Sequence, residues 1–317
     1  MNSPAFTIVC DTHGHEQYLR EAIDSVVGQT DTDWELIVVD NGRSDEVARI
    51  VDTYADDQRI RLLRTEYEGM AAAVNTAITH ATGEIYTVVH GNHKLLPDFC
   101  AHTYAALQAA PEADVIAVDA YRFDDHGAIV TPSYRREGGV EVEPGVDHRI
   151  TLEEFVNGSV IYYSAAIRAR AWHKGEGYPA DLPVVEEFVL SARMMTAGCD
   201  IRVLPELLAA CRLVDDPAKF AVYEDNMQRA LTDLAAATGD PAVRAAVDHK
   251  LRETRFHQAM GRARKALSES DTHTARTQVR LALQQRRALR PAVVYAALTI
   301  APGSLRLAQQ LKRRLRG

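Results

Sequence analysis

His90-Gly91-Asn92-His93 is the stretch of this 317-residue chain where side-chain types and spacing most invite chemistry. It follows the apolar run Ile85-Tyr86-Thr87-Val88-Val89 and precedes Lys94-Leu95-Leu96-Pro97-Asp98-Phe99. Asn92 offers an amide oxygen, and His90 and His93 offer imidazoles. Hard divalent cations prefer oxygen ligands, usually carboxylates, and imidazole suits zinc or nickel better than manganese. A metal held by Asn92 and His90 would therefore be held weakly. Two further polar tripeptides follow apolar runs in the same way: Asp11-Thr12-His13 and Asp40-Asn41-Gly42.

The elements that must position these groups read as alternating strands and helices. Phe6–Cys10, Glu35–Val39, Ile60–Leu63 and Ile85–Val89 are short apolar runs. Between them, Leu19, Ala22, Ile23, Val26 and Val27, then Val47, Ile50, Val51 and Tyr54, then Met70, Ala73, Val74, Ala77 and Ile78 recur at helical spacing. Such alternation predicts a mostly parallel, doubly wound sheet. Ligands in such a sheet bind beyond the C-terminal strand ends, where all three polar stretches fall. No G-x-G-x-x-G follows the first strand, which argues against a dinucleotide fold, and no P-loop is present. A helix (Phe99–Ala109) and a strand (Val115–Asp119) come next, then a poorly periodic stretch, 121–150, readable as a hairpin over the site. Thr151-Leu152-Glu153-Glu154 is a capping box, Val160–Tyr163 a strand, Val184–Thr196 a helix and Ile201–Leu204 a last strand. From about Asp215 the pattern turns Ala/Arg-rich and helical, with helices expected at Ala218–Thr238, Pro241–Ser268 and Thr272–Leu289. The expected division is 1–214 and 215–317.

Composition fits a soluble protein with a real core, at 46% hydrophobic and 25% charged. No apolar run approaches the roughly 20 residues of a membrane span. The chain enters a strand at once, so no signal peptide is expected, and four scattered cysteines point to a reduced cytoplasm rather than a disulfide framework. The net charge of −8 is uneven: residues 1–271 carry −18, and the last 46 carry ten basic and no acidic side chains. A basic tail suits an anionic membrane surface, nucleic acid or the protein's own acidic body.

Taken in order, these stretches resemble family 2 glycosyltransferases of the GT-A fold, over roughly residues 6–214. Tyr18-Leu19, Ser25-Val26 and Gln29-Thr30 match the family's opening segment. Trp34-Glu35-Leu36-Ile37-Val38-Val39-Asp40-Asn41-Gly42 matches its second strand and Asp-Asp-Gly turn. Gly69, Asn75, Gly83-Glu84 and Leu96-Pro97-Asp98 fall in step, and Glu186-Glu187, Leu190, Arg193 and Ala197-Gly198 resemble its Glu-Asp helix. The tetrad 90–93 stands where the family has its metal-binding aspartate cluster, so the motif is degenerate here.

The resemblance implies an α/β GT-A domain followed by a C-terminal helical subdomain. The activity implied is transfer of a sugar from a nucleotide diphosphate, a UDP-sugar first of all, to an acceptor hydroxyl of a glycan or small molecule, with inversion. Thr12, Asp40, Asn41, His90, Gly91 and Asn92 would lie against the donor. Asn41 replaces an acid that accepts from the base, and its amide can also donate. Glu187, beside Glu186, would be the general base, since an inverting transfer needs a carboxylate to take the acceptor's proton. Three readings of the tetrad stay open. The site works without a metal, with His90, His93, Lys94 or Arg43 opposing diphosphate charge; it holds magnesium or manganese weakly through Asn92 and His90; or the chain is a catalytically silent relative that binds a nucleotide sugar or a protein partner. Val74 stands where many relatives carry an arginine. His13, His15 and His173 fall in expected loops, as uncommitted surface residues, and Tyr162-Tyr163 would pack the sheet. The protein is expected in the cytoplasm, with the tail docked on its own domain, on a second copy or at the inner membrane face, and without nucleic acid.

Overall fold

The computed structural model describes residues 3–12, 14–137, 145–158, 162–213, 217–286 and 288–300. His13, Val160, the middle of the 121–150 stretch and the tail beyond Ile300 lie outside them.

The first half follows the alternation read from sequence: β1 (Phe6–Asp11), α1 (Glu16–Val27), β2 (Trp34–Asn41), α2 (Asp45–Asp52), β3 (Ile60–Thr65), α3 (Met70–Ile78) and β4 (Ile85–His90). Every residue of β1 is buried, as expected of a strand covered on both faces. α1 turns Leu19, Ala22, Ile23 and Val26 onto the sheet, and α2 starts at Ser44, whose side chain accepts from the Val47 N–H. The second half adds β5 (His93–Leu95), α4 (Phe99–Ala109), β6 (Val115–Phe123), β7 (Ile129–Thr131), α5 (Tyr134–Glu137), α6 (Leu152–Asn157), β8 (Tyr162–Arg168), α7 (Ala169–Lys174), α8 (Glu186–Thr196) and β9 (Ile201–Arg212).

The strands form one sheet in the order β3-β2-β1-β4-β8-β6-β9-β5, with β7 beside β6. It is mixed. β1 pairs in parallel with β2 and β4, and β2 with β3. β8 then enters antiparallel between β4 and β6. β5 leaves the end of β4 and pairs antiparallel with β9 at the other side. Residues 91 and 92 thus bridge a central strand to an outer one. β9 runs on to Arg212 rather than ending near Leu204. Pro205, Glu206 and Leu207 are exposed where its register against β6 shifts, and a bulge is where a proline can sit within a strand. The six-residue α7 escaped the sequence pattern because it is too short to show a period, and His173 lies on it, not in a loop.

The chain separates into two compact units, Met1–Asn226 and Met227–Gly317. The break falls inside α9 (Pro217–Ala237), a little beyond the change in composition. Asn226 still donates from its side chain to the Pro183 carbonyl, 2.9 Å away. The second unit continues with α10 (Pro241–Ser268), α11 (Thr272–Gln285) and α12 (Leu289–Ile300). Ala263, Ala266, Ala275, Val279 and Leu298 form its buried seam. Among the described residues no helix is long and apolar enough to cross a membrane. The four cysteines are free and buried.

Candidate active site

β1 and β4 are neighbours in register, so Asp11 and His90 end side by side. His90 Nδ1 lies 2.5 Å from Asp11 Oδ1, and its Nε2 lies 3.1 Å from Glu187 Oε1. An imidazole with an oxygen of a carboxylate at each nitrogen donates from both, so the ring is held as imidazolium. Burial works against that charge, but Asp11 and then Glu187 outweigh it and hold His90 well above its ordinary 6.5. Burial alone would raise Asp11; His90 reverses this and keeps it below 3.8.

The backbone of the tetrad is pinned to the same strand end. The Gly91 N–H donates to the Asp11 carbonyl at 2.8 Å. A side chain at 91 would put Cβ 2.8 Å from that oxygen, so the close approach requires glycine. His15, expected on the surface, is half-buried, and its Cβ lies over Gly91. His93 packs edge-on to His90, ring centroids 5.4 Å apart, and its Nδ1 accepts from the Arg212 N–H. Burial, and then the charge of His90, push His93 down to about 3, so it is uncharged at neutral pH.

α8 brings in the two acids. It starts at Glu186, after Val184 at φ 72°, a left-handed conformation that is rare for a β-branched residue. Glu186 is buried, 2% exposed, and its Oε2 finds no hydrogen-bond partner. Burial, and then the charge of Glu187, raise it to about 8. Glu187 keeps 27% of its side chain open, so it is the more accessible of the two acids. Beneath them Tyr178 is buried; burial, with the charges of Glu187 and Glu186, pushes its hydroxyl well above 10. Asn75 holds that loop from α3. Its amide donates to the Tyr178 carbonyl at 2.8 Å, and its oxygen accepts the Tyr178 N–H at 2.9 Å.

The remaining sequence candidates make contacts within the chain. Thr12 is buried, and its hydroxyl donates to the Val39 carbonyl. Asp40 takes the Ser44 N–H and the Arg64 guanidinium. Asn41 accepts the Glu68 N–H, while its amide nitrogen is buried without a partner. Of the cations expected to oppose a diphosphate, Lys94 pairs with Glu21 at 3.3 Å and Arg43 with Glu66 at 3.0 Å, both near the surface. Val74 is a core residue. Tyr162 and Tyr163 lie on β8. Asp11 was read only as part of a polar strand end, without its contact to His90, and Tyr178 and the positioning role of Asn75 were missed in the sequence. Nothing in Gly177-Tyr178-Pro179 signals a site.

This arrangement does not make a cation cage. Both nitrogens of His90 face carboxylates of the chain itself, His93 Nδ1 is taken by a backbone N–H, and Asn92 is buried. Among the described residues no three His, Cys, Asp or Glu side chains converge as metal ligands would.

The chain is similar to known proteins in this region. The model of the family "Glycosyl transferase family 2" matches residues 7–175. EpsE of Bacillus subtilis (strain 168) is 28% identical over 185 residues, 56% of this chain and 62% of its own. The chain spans less than two thirds of the length of the first curated relatives that it matches. Among solved structures, Staphylococcus aureus TarS 1–349 in complex with UDP-GlcNAc superposes with a TM-score of 0.64 at 16% identity, covering 89% of this chain and 82% of that one. A mannosyltransferase of Pyrobaculum calidifontis in complex with GDP-Man and Mn2+ superposes at 0.60 with 17% identity, covering 94% and 80%. The sheet order and its flanking helices are those of the GT-A fold.

Proposed function

Because this chain belongs to glycosyl transferase family 2, we propose that it transfers a sugar from a nucleoside diphosphate to an acceptor hydroxyl with inversion, with Glu187 as the base and without a metal. The observation that carries this reading is the chain of contacts Asp11–His90–Glu187 at the sheet's C-terminal edge. The acceptor oxygen attacks the anomeric carbon, its proton passes to Glu187, and the bond from that carbon to the diphosphate oxygen breaks with its electron pair on the leaving group. His90 donates to Glu187 and fixes the carboxylate's direction, and Asp11 fixes His90 in turn. The imidazolium also supplies positive charge beside the acids, in a tetrad with no carboxylate to hold a cation. Uridine is the first candidate base, since TarS was solved with UDP-GlcNAc.

Glu187→Gln tests the reading. Donor binding, read as thermal stabilisation by a nucleotide-sugar panel, is expected to persist, while turnover falls by roughly two orders of magnitude or more, the scale of a lost general base. Near-normal turnover would remove Glu187 from that role. Donor binding without turnover in the parent protein would favour the silent reading, which the missing carboxylates of the tetrad support.

A further inference from the structure

Apart from Arg290 and Thr299, helix α12 carries apolar or aromatic side chains. Leu298 is buried, and Val294 and Tyr295 pack beside it against the alanine seam of the second unit. The opposite side is open: Leu289 is 81% exposed, Val293 60% and Ile300 82%. With the exposed Ala296 between them, these residues stand at i, i+4, i+7 and i+11, which is one stripe of a helix over three turns. A stripe of that length without a polar residue is unusual on a solvent-facing helix.

Its surroundings are of one sign. Residues 227–317 hold eighteen basic and six acidic side chains, against eighteen and thirty-eight before them, and all six acids precede residue 272. In the sequence beyond the stripe, Leu307, Leu311 and Leu315 recur every four residues among Arg306, Lys312, Arg313, Arg314 and Arg316. A second copy meeting this face would bring cation against cation, because the contact between like copies is self-complementary. Apolar residues among cations, with no carboxylate, fit a surface that is anionic outside and apolar within. At about 1.5 Å per residue, twelve residues reach only about half of the ~30 Å hydrocarbon layer, so the helix would lie in the surface rather than cross it.

We propose that the exposed stripe of α12, with the basic segment after it, docks the protein on an anionic lipid surface. The full chain is expected to sediment with phosphatidylcholine vesicles that contain phosphatidylserine, not with phosphatidylcholine alone, and to be released by salt. Leu289→Ser with Val293→Ser should lower the partition coefficient by about tenfold or more, by removing apolar contact. Both substitutions lie on the open side, so helicity and melting should not change. Arg313→Gln with Arg314→Gln, later in the sequence, should weaken binding in the same direction. The proposal is overturned if the full chain ignores anionic vesicles, if it binds neutral ones equally, or if the stripe variant binds like the parent. It is also overturned if the parent self-associates without binding lipid and the stripe variant abolishes that association, which would assign the face to a second copy.

Discussion

Glu186 offers the cleanest test of the electrostatics, because its effect is read as stability. Its ordinary value is 4.5, and burial, followed by the charge of Glu187, raises it in the folded protein to about 8. The folded value lies above the unfolded one, so folding keeps a proton that the unfolded chain gives up. Stability therefore falls as pH rises from about 4.5 to about 8 and then levels off. Each pH unit in that window costs about 1.4 kcal/mol, so the full loss is capped near ~5 kcal/mol. Rearrangement and entry of water relieve part of this, and about 2–3 kcal/mol is the working figure.

Glu186→Gln removes the ionisation and keeps the shape. Oε2 of Glu186 has no hydrogen-bond partner to lose. The variant should melt within about 2 °C of the parent at pH 5. It should melt higher by about 5–10 °C at pH 9, since a domain of this size shifts roughly 2–4 °C per kcal/mol. The other titrating groups are common to both proteins, so the difference between their melting curves reports Glu186 together with its repulsion from Glu187. The assay is thermal unfolding of both from pH 5 to 9. A difference that stays flat with pH, or a variant less stable throughout, would refute a buried neutral acid at this position.

Asp11→Asn removes the partner that does most to oppose the effect of burial on His90. Because a histidine with a raised value contributes its charge below that value and loses it as pH rises, the alkaline limit of turnover should move to lower pH and kcat should fall by roughly tenfold or more; an unchanged pH profile would reject the coupling. Donor binding should survive a chelator and gain little from magnesium or manganese, since the tetrad lacks the carboxylates that hard cations need; a strict manganese requirement in turnover assays would overturn this. Gly177→Ala should cost about 2–3 kcal/mol in urea unfolding, because φ is +67° there and a Cβ would lie 2.6 Å from Asn75 Oδ1; a cost under about 0.5 kcal/mol would show that the Asn75 clamp on Tyr178 is slack.

Much of the fold was legible because its first half obeys local rules. β1, β2, β3 and β4 are short apolar runs, and α1, α3 and α4 have the bounds that their apolar spacing implied. The second half was harder for a physical reason. β8 and β9 gain their length from pairing, and β9 continues past Pro205 by way of a register shift, which no local pattern encodes. The same distinction governs the site. Glu186 and Glu187 were visible as acids opening a helix, and the tetrad was visible as the end of a strand. That His90 joins Asp11 to Glu187 depends on the side-by-side pairing of β1 and β4 and on where the loop held by Asn75 delivers α8. Sequence also suggested His93, Lys94 and Arg43 as charges for a diphosphate. Burial neutralises the first, and the other two pair with exposed glutamates in ion pairs weak enough to yield to a diphosphate.

On the proposed reading, histidine and asparagine stand where the family has carboxylates, and the consequence runs through the whole site. With acids in the tetrad, Asp11 and Glu187 would add to a negative cluster that a divalent cation would have to neutralise. With His90 there instead, one fixed cation stands between two carboxylates, at 2.5 and 3.1 Å. The fixed charge offsets part of the two carboxylates' repulsion of a diphosphate, and it is already desolvated and oriented, so it needs little reorganisation as charge develops. It also ties the base to the rest of the site, because the ring that supplies the charge is the ring that aims Glu187. Removing His90 should therefore affect donor affinity and turnover together, whereas removing Glu187 affects turnover alone. A His90→Ala variant that lost turnover while binding donor like the parent would confine His90 to aiming the base and leave the diphosphate to some other group.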